Sequence, residues 1–205
     1  MGNIQNTINS YMMQLDELIK NENFDEAKRK FIKYQNELKK TSSEEKKQEM
    51  INILIELLKP ETKNVLKNYI HNLISEDRIY LIFKEIYEEK LIDSCDFEKS
   101  QITAEKEIKE YIEKTEKIFK MVGLVSKTSV VNERLSLLYF KLANIKYNNL
   151  PRNRNLKQVE EIIDLEEKSL QYIKQTINNE QRVECEKMLE ELLTIYLIVI
   201  LYINI

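Results

Sequence analysis

The stretch IQNTINSYMMQLDELIKNENFDEAKRKFIKYQNEL, residues 4–38, contains the pattern that decides the fold. Its apolar side chains recur every three or four residues, the spacing that places them on one side of an α-helix. A short polar break at 21–23 separates two such stripes, so we expect two helices that fold back as an antiparallel hairpin. The stripe residues are Ile4, Ile8, Tyr11, Met12, Leu15, Leu18 and Ile19 in the first helix, and Phe24, Ala27, Phe31, Tyr34 and Leu38 in the second.

The same periodicity continues through the 205 residues and predicts an all-α fold of about nine helices. The chain has only two glycines and two prolines, too few for the turns of a sandwich, a barrel or a doubly wound α/β fold. We therefore predict a single domain over 1–205, built from stacked antiparallel hairpins as a solenoid or a helical bundle. The polar segment 93–97 is the best candidate for an internal boundary, between N-terminal helices in 1–92 and C-terminal helices in 98–205.

Local residue types predict several helix ends. Ser42 and Glu45 have the spacing of a capping box at the start of the third helix. Gly123 lies where a left-handed residue is expected to close a helix, and Ser129 is placed to cap the next one. The segment 148–155 is rich in Asn and Arg around a proline and is predicted to be a loop.

Residues 11–38 also match part of a known repeat. The matching residues are Tyr11, Leu18, the run NFDEA at 23–27, and Phe31. This pattern resembles one hairpin of the tetratricopeptide repeat, in which a small residue such as Ala27 lets two helices approach closely. Leu15 and Tyr34 stand where that repeat prefers small residues, and the resemblance covers roughly 30 residues with no second copy at the repeat spacing. The resemblance implies stacked helical hairpins and a binding scaffold.

The sequence lacks the residue combinations that several kinds of catalysis require. His71 is the sole histidine, lies beside an apolar stripe and is expected to be structural. Cys95 and Cys185 have no neighbouring histidine or cysteine, which indicates ordinary thiols in a reducing compartment. We therefore expect no enzymatic activity, no cofactor and no metal, and a cytoplasmic location because no signal peptide is apparent. Three acidic pairs are interpreted as solvated faces: Glu88-Glu89, Glu160-Glu161 and Glu190-Glu191.

Charge is segregated in the second half of a chain whose net charge is −3. Residues 117–159 contain nine basic side chains and one acidic side chain, whereas residues 160–191 contain ten acidic and four basic ones. Two interpretations remain open: the basic stretch binds an anionic partner, or it pairs with the acidic helix of the same chain. The first interpretation predicts an acidic protein surface as the partner, with nucleic acid as the alternative. Its predicted binding residues are Arg134, Lys141, Lys146, Arg152, Arg154 and Lys157.

The C-terminal residues 192–205 contain no charged side chain. As a helix this segment is about 21 Å long, shorter than the roughly 30 Å of a bilayer core, so we expect no membrane span. Burial in the fold or a homo-oligomer contact is favoured, with a terminal strand as an alternative because β-branched residues are frequent. The predicted packing or oligomer residues are Ile195, Ile198, Val199 and Tyr202. Together these patterns predict a scaffold, regulator or inhibitor that binds another protein through a helical surface.

Overall fold

The computed structural model describes residues 2–41, 43–66, 79–96, 104–151 and 155–203. Over these ranges the chain forms nine α-helices and no strand, which confirms the all-α prediction. The chain divides into two compact units, one ending at Ser94 and the other beginning at Cys95. This division lies inside the segment 93–97, where the sequence places an internal boundary. His71 lies outside the described residues.

The first unit begins with the hairpin expected from residues 4–38. Tyr11 of the first helix stacks on Tyr34 of the second, with 3.9 Å between the ring centroids, and Ala27 is fully buried between the two helices. The chain reverses at Glu22, whose φ of 57° is the one positive value in the described residues. The helices of this unit are α1 (Gly2–Lys20), α2 (Phe24–Lys39), α3 (Glu44–Leu57), α4 (Pro60–Leu66) and α5 (Ile79–Ser94).

Helix α5 completes the core of the first unit. The ring of Phe31 in α2 stacks on Phe83 and Tyr87 of α5, with centroid distances of 5.3 and 4.2 Å. Helices α1 and α3 also pack against α5. Because α5 has neighbours on several sides, its buried residues are not confined to one stripe along the helix.

The interpretation of Glu88-Glu89 as a solvated pair is wrong, because both side chains are buried in α5. The Lys84 ammonium lies 3.6 Å from the Glu88 carboxylate. Glu89 accepts hydrogen bonds from the backbone N–H of Lys59, at 3.4 Å, and from the Thr62 hydroxyl. The two glutamates therefore stay buried because Lys84 of the same helix supplies a cation to Glu88 and a neighbouring segment supplies donors to Glu89.

The second unit contains α6 (Glu105–Phe119), α7 (Val125–Asn148), α8 (Leu156–Ile173) and α9 (Asn179–Ile203). Successive helices run antiparallel and pack α6 on α7, α7 on α8, and α8 on α9. The last helix continues to Ile203, so the alternative of a terminal strand is wrong. The fully buried apolar residues at the centre of this unit include Ile108, Ile118, Leu135, Leu138 and Leu192.

Three predicted helix ends differ from the structure. Helix α3 begins one residue later than the capping box predicts: Ser43 is its N-cap and accepts a 3.5 Å hydrogen bond from the backbone N–H of Lys46. Ser42 lies outside the described residues. Gly123 has no positive φ, and α7 begins four residues before Ser129. Helix α6 instead closes through right-handed turns, in which the backbone N–H groups of 120–122 donate to carbonyls of α6.

Candidate interaction surface

Helix α9 is buried along one side and solvent-exposed along the other. Cys185 and Leu192 are fully buried on the inner side, where α9 packs against α8. The first half of the outer side is charged, but from Leu192 to Ile203 the helix has no charged residue at all. In the described part of the chain, no helix combines the length and the apolar character needed to cross a bilayer.

The outer side of this uncharged half is made of large apolar residues. Their exposed fractions are 44% for Leu193, 60% for Leu197, 47% for Ile198 and 64% for Leu201, and we call these four residues the α9 apolar face. Three of them are spaced four residues apart, so they form a ridge along the helix. Isolated exposed leucines are normal in proteins, whereas a contiguous group of this kind is a candidate interaction surface.

The structure divides the residues predicted to pack or to oligomerise. Ile195 packs against a buried cluster formed by α7, α8 and α9, and Val199 is half-buried. Ile198 belongs to the α9 apolar face, while the side chain of Tyr202 lies outside the described positions. The sequence identified the apolar segment, but the side that faces solvent depends on where α8 lies.

A groove of about 340 Å³ lies between α7 and α9, beside this face. Buried and half-buried apolar residues line its interior, and exposed charged residues of α9 line its edge. We call it the α7–α9 groove. The interior residues are Phe140, Tyr147, Met188 and Leu192, and the edge residues are Glu184, Lys187 and Glu191.

Part of the basic stretch is used inside the second unit. The Lys146 ammonium lies 2.9 Å from the carboxylate of Glu161 in α8 and 3.3 Å from that of Glu105 in α6. Burial lowers the pKa of Lys146, but its hydrogen bonds and charge interactions with Glu161 and Glu105 outweigh that effect, so the pKa is raised. This ion pair joins the basic helix to the acidic helix, as the internal interpretation of the charge segregation expects.

The other predicted basic residues differ in their surroundings. Arg134 is half-buried and lies 3.4 Å from the Cys95 sulfur and 3.8 Å from the Asp96 carboxylate. Lys141 is half-buried in α7, and Lys157 is exposed in the first turn of α8. Arg152 and Arg154 lie outside the described residues. Arg134, like Lys146, therefore contacts a carboxylate of its own unit.

Sequence reasoning missed a buried polar cluster where α7, α8 and α9 meet. The hydroxyl oxygens of Ser136 and Ser169 are 3.0 Å apart, and Gln181 Nε2 donates to Ser136 Oγ at 3.1 Å. Ser169 Oγ also lies 3.2 Å from Cys185 Sγ. Burial is the main reason that the pKa of Cys185 is raised, so its thiol stays protonated. This cluster joins three helices by hydrogen bonds and offers no ionised nucleophile.

Glu166 lies in the same interior with no exposed surface. Within the described part of the chain neither carboxyl oxygen has a hydrogen-bond partner, and burial raises its pKa to about 8. A signal for this burial was present in the sequence, because Glu166 continues the stripe of Val159, Ile162 and Ile163 at the helical spacing. Glu166 is therefore an uncharged core residue at neutral pH.

The chain matches no protein-family model, no curated protein and no solved structure at a significant level. The tetratricopeptide resemblance of residues 11–38 therefore stays a prediction.

Proposed function

We propose that this protein is a non-enzymatic protein-binding module, acting as a scaffold, regulator or inhibitor, and that it contacts its partner through the α9 apolar face. The single observation that carries the proposal is the uncharged outer side of α9, where four large apolar residues are about half or more exposed. Transferring apolar surface from water into an interface contributes about 25 cal/mol per Å², so such a ridge gains most from a protein partner that covers it.

The spacing of the face favours a helical partner. Leu193, Leu197 and Leu201 form a row at intervals of four residues, and rows of this kind fit the grooves between side chains of a second helix. A helix laid in this way covers several anchors at once, which is how amphipathic helices bind apolar surfaces.

The basic stretch supports the alternative partners less well. Lys146 and Arg134 already lie beside carboxylates of the same unit, so they offer less charge to an acidic protein or to nucleic acid. Binding to nucleic acid would fall steeply with salt, because it depends on the number of cations that contact phosphates. Binding through the α9 apolar face depends much less on salt.

The proposal is tested by affinity capture with the full chain and with the variant Leu197→Glu/Leu201→Glu. A charge placed in the centre of the face is buried without a partner when the complex forms, so we expect partner binding to weaken at least about tenfold. The captured protein is then purified and its Kd for the wild-type chain and for the variant is measured by calorimetry. The loss of affinity should persist at moderate salt.

Ile177→Glu is the matched control, because Ile177 is an exposed apolar residue of the same unit outside α9, with 92% of its surface accessible. It should bind like the wild-type chain. The variant Arg152→Gln/Arg154→Gln tests the basic stretch in the same assay. The proposal fails if the double glutamate variant retains its partner, or if neutralising the arginines removes binding while the α9 variant has no effect.

A further inference from the structure

We propose that the partner of the α9 apolar face is an amphipathic helix with basic side chains at one end, and that this end lies over the α7–α9 groove. The inference rests on the proposed function and adds the charge pattern and orientation of the partner. It comes from two adjoining surfaces of α9, one acidic and one uncharged.

The α7–α9 groove adjoins the α9 apolar face at Ile198. Glu184, Glu191 and Ile198 are each seven residues apart, which is two helical turns, so they follow one another at intervals of about 10.5 Å. Glu184 and Glu191 line the groove, and Ile198 belongs to the α9 apolar face. Leu193, Leu197 and Leu201 lie roughly a quarter to a half turn around α9 from this line. A second helix that crosses α9 obliquely therefore meets the groove first, then Ile198, and then the leucines of the face.

The groove end of this path is negatively charged. Glu184 and Glu191 are exposed at its edge, and Lys187 is the one cation that lines it in the described structure. The first half of α9 as a whole carries five carboxylates against Arg182 and Lys187, and Arg182 lies within 4.0 Å of Glu186. Lysine or arginine side chains of a partner are attracted here, while acidic ones are repelled.

The interior of the groove suits an apolar anchor beside those cations. Phe140, Met188 and Leu192 present ring, thioether and branched aliphatic surface, which accommodates side chains of varied shape. The volume of about 340 Å³ is at the small end of ligand pockets and is large enough for one or two side chains. An apolar side chain that enters it brings neighbouring basic residues of the same helix next to Glu184 and Glu191.

The other end of the path excludes charge. From Leu192 to Ile203 no side chain of α9 is charged, so a partner cation placed there loses its hydration without gaining a counter-charge. The two ends together select a helix whose cations are confined to one end, and they fix its direction along α9.

A second copy of this chain fits the pattern less well. Antiparallel pairing of two α9 apolar faces leaves the glutamates of both grooves without cations. Parallel pairing places Glu184 and Glu191 beside the same residues of the other copy, where like charges repel. The acidic edge of the groove is satisfied by a basic partner and by neither arrangement of two identical helices.

The experiment uses the full chain and two synthetic peptides of about 18 residues, long enough to cover α9 from 184 to 201 as a helix. Both peptides have the same leucine and isoleucine face. The first carries lysines beside that face in its first two turns, and the second carries glutamates at the same positions. We expect the basic peptide to bind about tenfold tighter than the acidic peptide at low salt, measured by fluorescence anisotropy.

Substitutions in the chain separate the charge requirement from the apolar one. Glu184→Gln/Glu191→Gln should weaken the basic peptide about fivefold and remove the preference between the peptides. The matched control Glu113→Gln/Glu167→Gln changes two exposed glutamates elsewhere in the second unit and should leave both affinities unchanged. Leu197→Glu should weaken both peptides, because both use the α9 apolar face.

The remaining outcomes overturn either the inference about the partner's charge or the proposed function. Equal binding of the two peptides, with Leu197→Glu still weakening both, overturns the inference and leaves the proposed function standing. Unchanged affinities in Leu197→Glu overturn the proposed function itself. Tighter binding of the acidic peptide, no binding of either peptide, or a dimer in sedimentation that Leu197→Glu dissociates overturns the inference.

Discussion

At the scale of single residues, Glu166 is an ionisable side chain that is fully buried. Its carboxyl group is buried in the second unit with no hydrogen-bond partner among the described residues. An ionised carboxylate in such a position loses its hydration with no compensation, and the proton is retained instead. This explains why burial raises the pKa to about 8 from an ordinary value of 4.5.

A change at Glu166 is expected to alter how stability depends on pH. The unfolded chain releases this proton near pH 4.5 and the folded chain near pH 8, so the folded state holds an extra proton between these values. Stability therefore falls as the pH rises from 4.5 to 8. In Glu166→Gln this fall is absent, and between pH 5 and pH 8 the free energy of unfolding should shift in favour of the variant by up to about 3 kcal/mol.

Urea unfolding of both proteins at several pH values measures this shift. Glu167→Gln is the control, because Glu167 is the exposed neighbour of Glu166 on the same helix and its replacement should leave the pH dependence of the wild-type chain unchanged. Parallel stability curves for the wild-type chain and Glu166→Gln would show that the carboxyl group is not held neutral in the core.

At the scale of helices, the apolar spacing predicted the elements better than their ends. Residues 4–38 define two stripes, and the structure forms α1 and α2 at those positions because periodicity integrates many side chains. The ends at Ser42, Gly123 and Ser129 were each assigned from one or two residues. Right-handed turns after α6 and an earlier start of α7 close the same segment without a left-handed glycine.

For the candidate surface, too, the sequence predicts the apolar segment but not which of its side chains are exposed. The apolar character of 192–205 was apparent in the sequence, but Leu193 and Leu197 became the exposed residues only because α8 covers Ile195. In the same way, the sequence leaves open whether Lys146 binds a partner or pairs internally, and the structure places carboxylates of α6 and α8 beside it. Which helix lies beside a residue is a tertiary fact, and a single sequence contains no direct signal for it.

The N-cap of α8 gives a test at this scale. The side chain of Asn155 accepts a 3.0 Å hydrogen bond from the backbone N–H of Lys157 and so satisfies one of the open donors at the helix start. Asn155→Ala should lower stability by about 1 kcal/mol, a fall in Tm of about 2–4 °C in a chain of this length.

Asn149→Ala is the matched control for that substitution. Asn149 is an exposed asparagine at the other end of the same connection, directly after α7, and its φ of −95° is open to alanine. Thermal melting followed by circular dichroism compares the two variants. An equal effect of both substitutions would show that the Asn155 side chain contributes nothing specific to the start of α8.

At the scale of the whole molecule, the chain consists of two compact units, each with its own buried residues. In the first unit the core surrounds Phe31 and Phe83, and in the second it surrounds Leu135 and Leu138. The division falls between Ser94 and Cys95, and Cys95 is fully buried at the start of the second unit. The interaction surface proposed above belongs entirely to the second unit.

The fragment 95–205 is therefore expected to fold without the first unit. It contains all four helices that pack in sequence from α6 to α9, together with the Ser136–Ser169 cluster that joins three of them. A chain of this size buries enough apolar surface to unfold cooperatively. We expect a helical circular dichroism spectrum and one sigmoidal melting transition, and the fragment should bind the basic peptide as the full chain does.

A fragment cut inside the unit provides the contrast. Residues 125–205 lack α6, so the side of α7 that packs against α6 becomes exposed, and Lys146 loses its contact with Glu105. Removing one of four packed helices exposes several large side chains at about 1.5–3 kcal/mol each, comparable to the whole stability of a domain. This shorter fragment should melt without a cooperative transition or aggregate. If 95–205 behaved in the same way, the boundary at Ser94 would divide a single cooperative unit, and the second unit would depend on the first for its stability.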